Sequence, residues 1–364
     1  MKIISRYIFH DFVVAFLVSL LVITVVISLT FIFKIADLIA LGIPMEPAVT
    51  MLVASIPTSL RLSIPVSALV SCLLIFGRLS ADGEITAMRT SGVRIWSACR
   101  GTLLAGVLLT AFCVYNNHFI EPVGHLQRRM ALAEARTLFP LELFEEGRFV
   151  TLGEFSIYAG KRRDNILQNV RIVQMLGVRE KREIHAQRGV IHEADDGKAL
   201  VVNLSDARVT PFSKDVPETV FMEKWTIKLD DIARRAQYVP DEEDRNLLDL
   251  LAQLREIERA GPHENPADAA RKRMVLAYTV NQRFVMAASC LAFIVLGIPL
   301  GIRSHRKESS IGIGLSLILV FVFYAIVAFT ESFVDRPFLR PDLLIWFPVA
   351  LFGAIGAALM LRWN

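Results

Sequence analysis

The stretch FVVAFLVSLLVITVVISLTFIF, from Phe12 to Phe33, decides the fold class of this chain. It carries no charged residue, and at about 1.5 Å per residue a helix of this length crosses the ~30 Å hydrocarbon core of a bilayer. A cleavable signal has a shorter apolar region followed by a small-residue cleavage site, so we expect a retained membrane helix. Lys2 and Arg6 precede the stretch and predict a cytoplasmic amino terminus.

The composition supports an integral membrane protein with a substantial polar part. Hydrophobic residues make up 54% of the 364 residues, and the mean hydropathy is +0.47. Charged residues still account for 21%, while the net charge of +4 is too small to argue for nucleic acid. The four cysteines lie in or beside apolar runs, which indicates small buried hydrophobes and no disulfide framework.

Five further apolar segments follow the first, and a long polar stretch separates the third from the fourth. The two short loops at residues 78–96 and 301–309 are basic, so both are expected in the cytoplasm with the carboxyl terminus. The polar stretch then falls in the periplasm. The six segments cover about residues 12–33, 48–76, 97–117, 276–300, 310–330 and 343–361.

The polar stretch reads mostly as β-strands. RFVTLGEFSIYAG and NVRIVQML alternate apolar and polar residues, and DDGK at 195–198 predicts a hairpin turn. We count about eight strand candidates and predict a sandwich, jelly roll or open barrel. A helix is expected at 246–260, GPHENP breaks it, and a second helix begins at about Ala267.

We therefore predict a polytopic α-helical membrane protein with six transmembrane helices and an inserted periplasmic all-β, jellyroll-like domain. Residues 1–118 would hold the first three spans, and residues 276–364 the last three. Residues 119–275 would hold the β domain and a helical return segment.

The stretch GRLSADGEITAMRTSGV, at residues 77–93, contains residues that are typical of the two ends of a helix and predicts a short helix spanning about 82–92. Asp82 can cap its amino end, and Glu84 lies in its first turn. Arg89 lies in its last turn, where a cation is favourable, and Gly92 is placed to terminate it.

The function of this short helix has two readings. Ile85 and Met88 are three residues apart, share a face, and would present a small apolar knob beside a carboxylate. This favours a docking helix for a cytoplasmic protein that does the energetic work. A plain connecting loop, in which Arg78 and its neighbours only set topology, fits about equally well.

Three cations are in unexpected places for a membrane protein. Lys34 ends the first span, Arg61 lies within the second, and Arg283 lies near the outer end of the fourth. A cation below the membrane interface is costly and usually has a partner. Snorkelling to ordinary phospholipids is one explanation. A cation-lined pocket for an anionic amphiphile from the outer leaflet is the other, since arginine suits phosphate.

No catalytic motif is present in the sequence. The nearest resemblance to a phosphate-binding loop runs from Gly153 to Gly160-Lys161, but its spacing is too long and Arg162 follows the lysine. The seven histidines are scattered without metal-ligand spacing. We expect a chain that is not catalytic alone and binds no metal.

Taken together, these segments resemble the lipopolysaccharide export permease family, LptF/LptG (YjgP/YjgQ), over nearly the full length. The block around RLSADGEITAMRTSG is the specific part, while the apolar spans are not specific. The resemblance leans towards LptF, and both paralogues stay open. The matching segments are SRYIFHDF, SIPTSLRLSIPVSALVSCLLIFGRLSADGEITAMRTSGV, LGIPLGIRSHRKESSIGIG and RPDLLIWFPVALFGAIGAALMLR.

The resemblance implies a transport machine with several partners. The family pairs with a sister permease, a cytoplasmic ABC ATPase dimer and a single-span LptC-like protein. Together they take lipopolysaccharide from the outer leaflet of the inner membrane to a periplasmic bridge protein. ATP would be used by the partner ATPase, and this chain would need no cofactor.

The resemblance also implies roles for individual residues. The short helix would be the coupling helix, in which Glu84 contacts the ATPase, and Gly83 stands where many relatives carry serine. The deep cations would face the lipid, a match by region more than by motif. The implied coupling residues are Arg78, Asp82, Glu84, Ile85, Met88, Arg89 and Gly92, and the implied lipid-binding residues are Lys34, Arg61 and Arg283.

Three other classes stay open beside this one. A different ABC exporter subunit, moving lipoproteins or peptides, would also lack a P-loop and carry a docking helix. A membrane scaffold or sensor with a periplasmic β domain would need neither deep cations nor an ATPase contact. A secondary transporter is disfavoured by the lack of paired intramembrane carboxylates.

Overall fold

The computed structural model of the chain begins with a series of helices, most of them long. It describes residues 2–40, 45–138, 147, 149–152, 155–163, 166–175, 181–193, 200–212, 220–229, 241–259, 266–303, 309–334 and 337–362. Before the strands the helices are α1 Lys2–Ala40, α2 Met45–Ala81, α3 Glu84–Thr90, α4 Ile95–Ala98, α5 Arg100–Tyr115, a π-helical turn Asn116–Ile120, and α6 Glu121–Leu138.

After the strands the chain returns to helices. A short 3₁₀ turn, Glu242–Asp244, precedes them, and another lies at Pro337–Leu339. The α-helices of this half are α7 Leu247–Arg259, α8 Pro266–Arg303, α9 Ser309–Glu331, α10 Pro341–Leu344 and α11 Phe347–Arg362.

Six helical segments among the described residues are long and apolar enough to cross a membrane, which confirms the six predicted spans. Both regions predicted after the sheet, a short helix at about 246–260 and a longer one from about Ala267, are also helical. The spans are Ile3–Asp37, Met45–Ala81, Arg100–Leu132, Ala270–Arg303, Gly314–Glu331 and Pro341–Arg362.

The chain divides into two compact units. The first comprises Met1–Phe33, Val53–Leu126 and Pro240–Asn364 and holds most of the helices. The second comprises Lys34–Leu52 and Gln127–Val239 and holds the sheet. The third helical segment continues past residue 118, through the π turn to Leu138. The domain boundaries predicted after residues 118 and 275 stay predictions.

Helix α8 is the centre of the first unit. The apolar stretch of α8 is 78% buried, whereas that of α1 is 11% buried and exposes its side chains. Glycines let neighbouring helices approach its backbone. A Cβ on Gly297 would lie 2.8 Å from Cβ of Cys72 in α2, and one on Gly301 would lie 2.9 Å from Cβ of Phe76. Small residues at four-residue spacing pack membrane helices closely, so α2 and α8 form a tight pair.

A row of buried serines on α2 recurs every four residues and therefore lies on one face of the helix. Two of them meet α1. Thr24 donates a hydrogen bond to Ser63 at 2.9 Å, and Ser28 donates to Ser59 at 3.3 Å. These hydroxyl contacts fix α1 against α2 without large side chains. The row consists of Ser55, Ser59, Ser63, Ser67 and Ser71.

The second unit contains an antiparallel sheet whose six described strands pair in sequence order. An inserted all-β domain is thus confirmed, with six described strands where the sequence suggested about eight. Apolar residues at alternate positions, such as Ile157, Ile172 and Ile184, form its buried core. The strands are β1 Phe149–Leu152, β2 Phe155–Arg163, β3 Ile166–Met175, β4 Lys181–Glu193, β5 Leu200–Phe212 and β6 Val220–Leu229.

The sheet is irregular along one line that crosses its strands. Asn169 on β3 and Asp206 on β5 have φ of 54°, and the regular pairing skips both residues. Such irregularities bend strands and increase their twist. The predicted hairpin joins β4 to β5, which pair up to Glu193 and Leu200, while its turn at 195–198 lies outside the described residues.

All four cysteines are buried with free thiols, as expected for small hydrophobic side chains. Cys99 lies between the second and third spans, and burial raises the pKa of its thiol to about 12. A thiol in this state is a packing group and a poor nucleophile at neutral pH. The cysteines are Cys72, Cys99, Cys113 and Cys290.

Candidate functional site

The short helix predicted from the sequence exists as α3, but its amino end differs from the prediction. Gly83, with φ of 76°, is the N-cap residue, and no side chain caps the helix. Asp82 therefore does not cap α3, and that expectation was wrong. The reason is that the left-handed turn at Gly83, a conformation that glycine adopts without strain, separates α3 from the end of α2.

The carboxyl end of α3 follows the prediction. Gly92 has φ of 74°, its N–H donates to the carbonyl of Arg89, and the N–H of Val93 donates to the carbonyl of Met88. These two bonds form the Schellman motif, in which a glycine ends a helix in the left-handed conformation. Gly92 terminates the helix as expected.

The apolar face of α3 points into the bundle. Ile85 is only 4% exposed and belongs to the core cluster with Phe76, Leu79 and Ile95, while Met88 is half-buried against that cluster. The expected exposed apolar knob is therefore wrong for Ile85, because spacing defines a shared face but not what that face contacts. Ile85 holds α3 to the bundle.

The charged residues of α3 remain accessible. Asp82 and Arg89 are exposed, and Glu84 is half-buried in the first turn. Just before α3, Arg78 forms an ion pair with Asp11 of α1. Asp11 was missed by the sequence analysis, although it immediately precedes the first apolar run. The result is a short helix whose apolar side is packed against the bundle and whose charged side chains are accessible from outside it.

Arg61 lies deep in α2 and has an acidic partner that the sequence analysis missed. Its guanidinium donates to the carboxylate of Glu121 at 3.0 Å, and the two side chains are 21% and 8% exposed. Glu121 begins α6, directly after the π turn. A deep cation was expected to have a partner, and the sequence signal for it is an acid just after the third predicted apolar segment.

Arg283 is 4% exposed and is held by backbone oxygens. Its guanidinium donates to the carbonyls of Arg245 at 2.7 Å, Glu243 at 2.9 Å and Glu242 at 3.3 Å. These contacts anchor the 3₁₀ turn to α8. The lipid-binding role predicted for Arg283 would require them to break, and that role stays a prediction.

The π-helical turn joins these charges to the rest of the bundle. It places Asn116, Asn117 and His118 in buried positions. Asn117 donates to the backbone carbonyl of Arg283 at 3.2 Å, and Asn116 donates to that of Pro57 at 3.1 Å. Isolated π turns recur at functional sites because they re-aim side chains. Here the turn ties α5, α2 and α8 together beside the Arg61–Glu121 pair.

One more contact completes this cluster. His125 on α6 contacts Asp244 at 2.6 Å and Glu243 at 3.3 Å. The carboxylate of Asp244 also accepts from the N–H of Asp241 and thereby caps the 3₁₀ turn. Lys34, the third predicted lipid cation, is exposed and belongs to the other unit. We refer to Arg61, Glu121, Arg283 and the π turn as the charged cluster.

The charged cluster contacts α8 near its middle, at Arg283, whereas α3 lies close to its carboxyl end. Ser80, at the end of α2 next to α3, donates to the carbonyl of Ile302 at 2.7 Å. Arg283 lies near the middle of the same helix, about 28 Å from Ile302 at the helical rise per residue. That distance is close to the ~30 Å thickness of the hydrocarbon core. One helix therefore spans from the candidate coupling end to the deep cations.

The fold and these sites define a class, a multi-pass membrane protein with a β domain inserted between two sets of spans. Within that class, residues 6–362 match the family described as lipopolysaccharide export system permease LptF/LptG. The chain belongs to this family and is a component of a lipopolysaccharide export permease. A search of the curated proteins found no significant match.

Proposed function

We propose that this chain is the permease subunit of an ABC transporter that extracts lipopolysaccharide from the outer leaflet of the inner membrane. The lipid then passes along the β domain to a periplasmic bridge. Family membership supports the lipopolysaccharide part of this proposal. The observation that carries the ATP-driven part is α3, which is anchored through Ile85 and leaves Asp82 and Arg89 exposed.

The proposed machine has four protein partners. A cytoplasmic ABC ATPase dimer hydrolyses ATP and docks on α3, and a sister permease of the same family completes the cavity. A single-span LptC-like protein and a bridge protein receive the lipid. The basic loops at 78–96 and 301–309 support cytoplasmic termini and a periplasmic β domain.

The mechanism links α3, at the carboxyl end of α8, to the charged cluster about 28 Å away along the same helix. Closure of the ATPase displaces α3, and the tight α2–α8 pair transmits the displacement across the membrane. The displacement changes the geometry of the charged cluster. Arg61 contacts phosphates at the rim of the cavity, apolar walls hold the acyl chains, and closure moves the lipid out of the cavity. The lipid-binding role of Lys34 stays a prediction.

Glu84→Ala tests the docking role of α3. The variant is expected to insert and fold normally, because the half-buried Glu84 is not a member of the apolar core cluster that holds Ile85. Loss of one charge-assisted contact is expected to reduce ATPase recovered with the tagged chain by about tenfold. Co-purification under mild detergent, with the ATPase activity of the eluate, measures this.

Asp249→Ala is the matched control, since Asp249 is also a carboxylate in the first turn of a helix, α7, and its side chain is exposed. The control is expected to retain wild-type ATPase recovery. Normal recovery and normal coupled ATPase activity in Glu84→Ala would defeat the docking role. Recovery of an ATPase with a lipoprotein or peptide, and no lipopolysaccharide, would instead support a different exporter.

A further inference from the structure

A second site lies at the end of the bundle where α1 and α5 begin. A cavity of about 390 Å³ opens there between the first turns of α1 and the segment formed by α4 and α5. This volume lies in the range of small-molecule binding sites. At Gly101 the helix α5 approaches α1 most closely within this lining, because a Cβ there would lie 3.0 Å from Cβ of Phe9 and 3.3 Å from the carbonyl oxygen of Ser5.

The rim of this cavity is cationic and hydroxylic. Arg6 from α1 and Arg100 from α5 line it together with Ser5 and Ser97. Neither guanidinium has an ion-pair or hydrogen-bond partner in the part of the chain that the structure describes. The two guanidinium groups and the two hydroxyls can all donate hydrogen bonds to the oxygens of a phosphodiester.

The other end of the cavity is apolar and exposed. Phe9 lies three residues after Arg6 on α1, and Leu104 lies four residues after Arg100 on α5. Each apolar side chain therefore lies one helical turn further into the span than its arginine. Phe9 is 39% exposed and Leu104 is 60% exposed. On both helices, therefore, an arginine lies at the membrane interface and an apolar side chain lies one turn deeper in the membrane.

We propose that this cavity binds the headgroup of an anionic glycerophospholipid, with its acyl chains against Phe9 and Leu104. Basic pockets between spans on the cytoplasmic side are suited to such headgroups. The basic loops place this end in the cytoplasmic leaflet. The site thus lies on the side of the membrane opposite to the proposed entry of lipopolysaccharide. The proposal requires only membrane insertion and does not rest on the proposed transport function.

The position of the site indicates what the lipid does. A bound headgroup bridges α1 to α4 and α5, and four residues separate the end of α3 from the start of α4. The lipid therefore braces the segment that follows α3. Occupancy stabilises the fold of the full chain by binding the native state only.

The test is native mass spectrometry of the full-length chain with phosphatidylglycerol and phosphatidylcholine supplied in equal amounts, beside thermal unfolding with each lipid. The wild-type chain is expected to retain phosphatidylglycerol preferentially and to unfold at higher temperature with it. The double variant Arg6→Gln/Arg100→Gln is expected to retain about tenfold less phosphatidylglycerol, since it loses both charge-assisted contacts. Unfolded molecules carry more charges in the spectrum than folded ones, so lipid retention is compared in the low charge states of the folded chain only, and misfolding does not mimic this loss.

Arg94→Gln is the matched control, because Arg94 is exposed at the same end of the bundle but does not line the cavity. It is expected to retain wild-type binding. Equal loss in Arg94→Gln and the double variant would overturn the proposal, since any interfacial charge would then suffice. Equal stabilisation of the wild-type chain by both lipids would also overturn it. An equal effect of inorganic phosphate alone would assign the cavity to a free anion and not to a lipid.

Discussion

Glu121→Leu is expected to destabilise the protein by roughly 3–5 kcal/mol, because it leaves a deep guanidinium without its carboxylate. Arg61 and Glu121 are 3.0 Å apart, and both side chains are largely buried. An isolated charge in a low-dielectric surrounding costs far more than the pair, since nothing offsets its lost hydration. The variant should therefore unfold at lower denaturant and accumulate less in membranes.

Titration of the purified chain with sodium dodecyl sulfate in mixed micelles measures this change in the free energy of unfolding. The matched control is Glu258→Leu, which breaks an Arg–Glu pair of similar length. Glu258 and Arg273 are 2.9 Å apart, but both side chains are more than half exposed. Exposed pairs contribute about 0–1 kcal/mol, so this control should change little.

The double variant Arg61→Leu/Glu121→Leu separates burial of a lone charge from loss of packing. Replacing both members of a buried ion pair by apolar residues is often neutral or stabilising. The double variant should therefore recover most of the stability lost in Glu121→Leu. If Glu121→Leu is no less stable than Glu258→Leu, Arg61 does not depend on Glu121.

Gly356→Leu is expected to have the second large effect, a loss of at least about 3 kcal/mol, at the upper end of the range for overpacked cores. A Cβ on Gly356 in α11 would lie 2.7 Å from backbone atoms of Val295 and Leu296 in α8. Backbone atoms of a helix cannot rotate away as a flexible side chain can. The two helices must separate, and the central helix of the bundle loses a neighbour.

Gly353→Leu is the control in the same helix, one turn earlier. A Cβ there would meet nothing within 4 Å. The change should be neutral or slightly stabilising, because glycine is a poor residue in a helix interior. The same titration compares the two variants. Equal stability of Gly356→Leu and Gly353→Leu would mean that α11 and α8 are not in close contact.

The spans and the ends of α3 show how much could be predicted from the sequence. Each span is a long apolar run, and that property alone limits it to a membrane helix. Gly92 could be predicted because a glycine after a short helix favours the left-handed end. That Asp82 does not cap α3 could not be predicted, since it depends on the left-handed conformation of Gly83, with φ of 76°, which separates Asp82 from the helix.

The burial of Ile85, the partners of Arg283 and the π turn were harder to predict from the sequence. The spacing of Ile85 and Met88 defined a face, but only the packed bundle determines that Ile85 is buried in it. Arg283 binds carbonyl oxygens about 40 residues away, and backbone acceptors leave no side-chain pattern in a sequence. The π turn at 116–120 is equally hidden, because it needs one extra residue per turn and no particular residue type.

The central claim is that this chain is driven by a separate ATPase to export lipopolysaccharide. The most direct test is to tag the chain, purify it from its native membranes in mild detergent, and identify the proteins and lipids by mass spectrometry. We predict an ABC ATPase, a sister permease of the same family and bound lipopolysaccharide. Absence of any ATPase from a folded, lipid-bearing preparation would contradict the account and make α3 only a connecting segment.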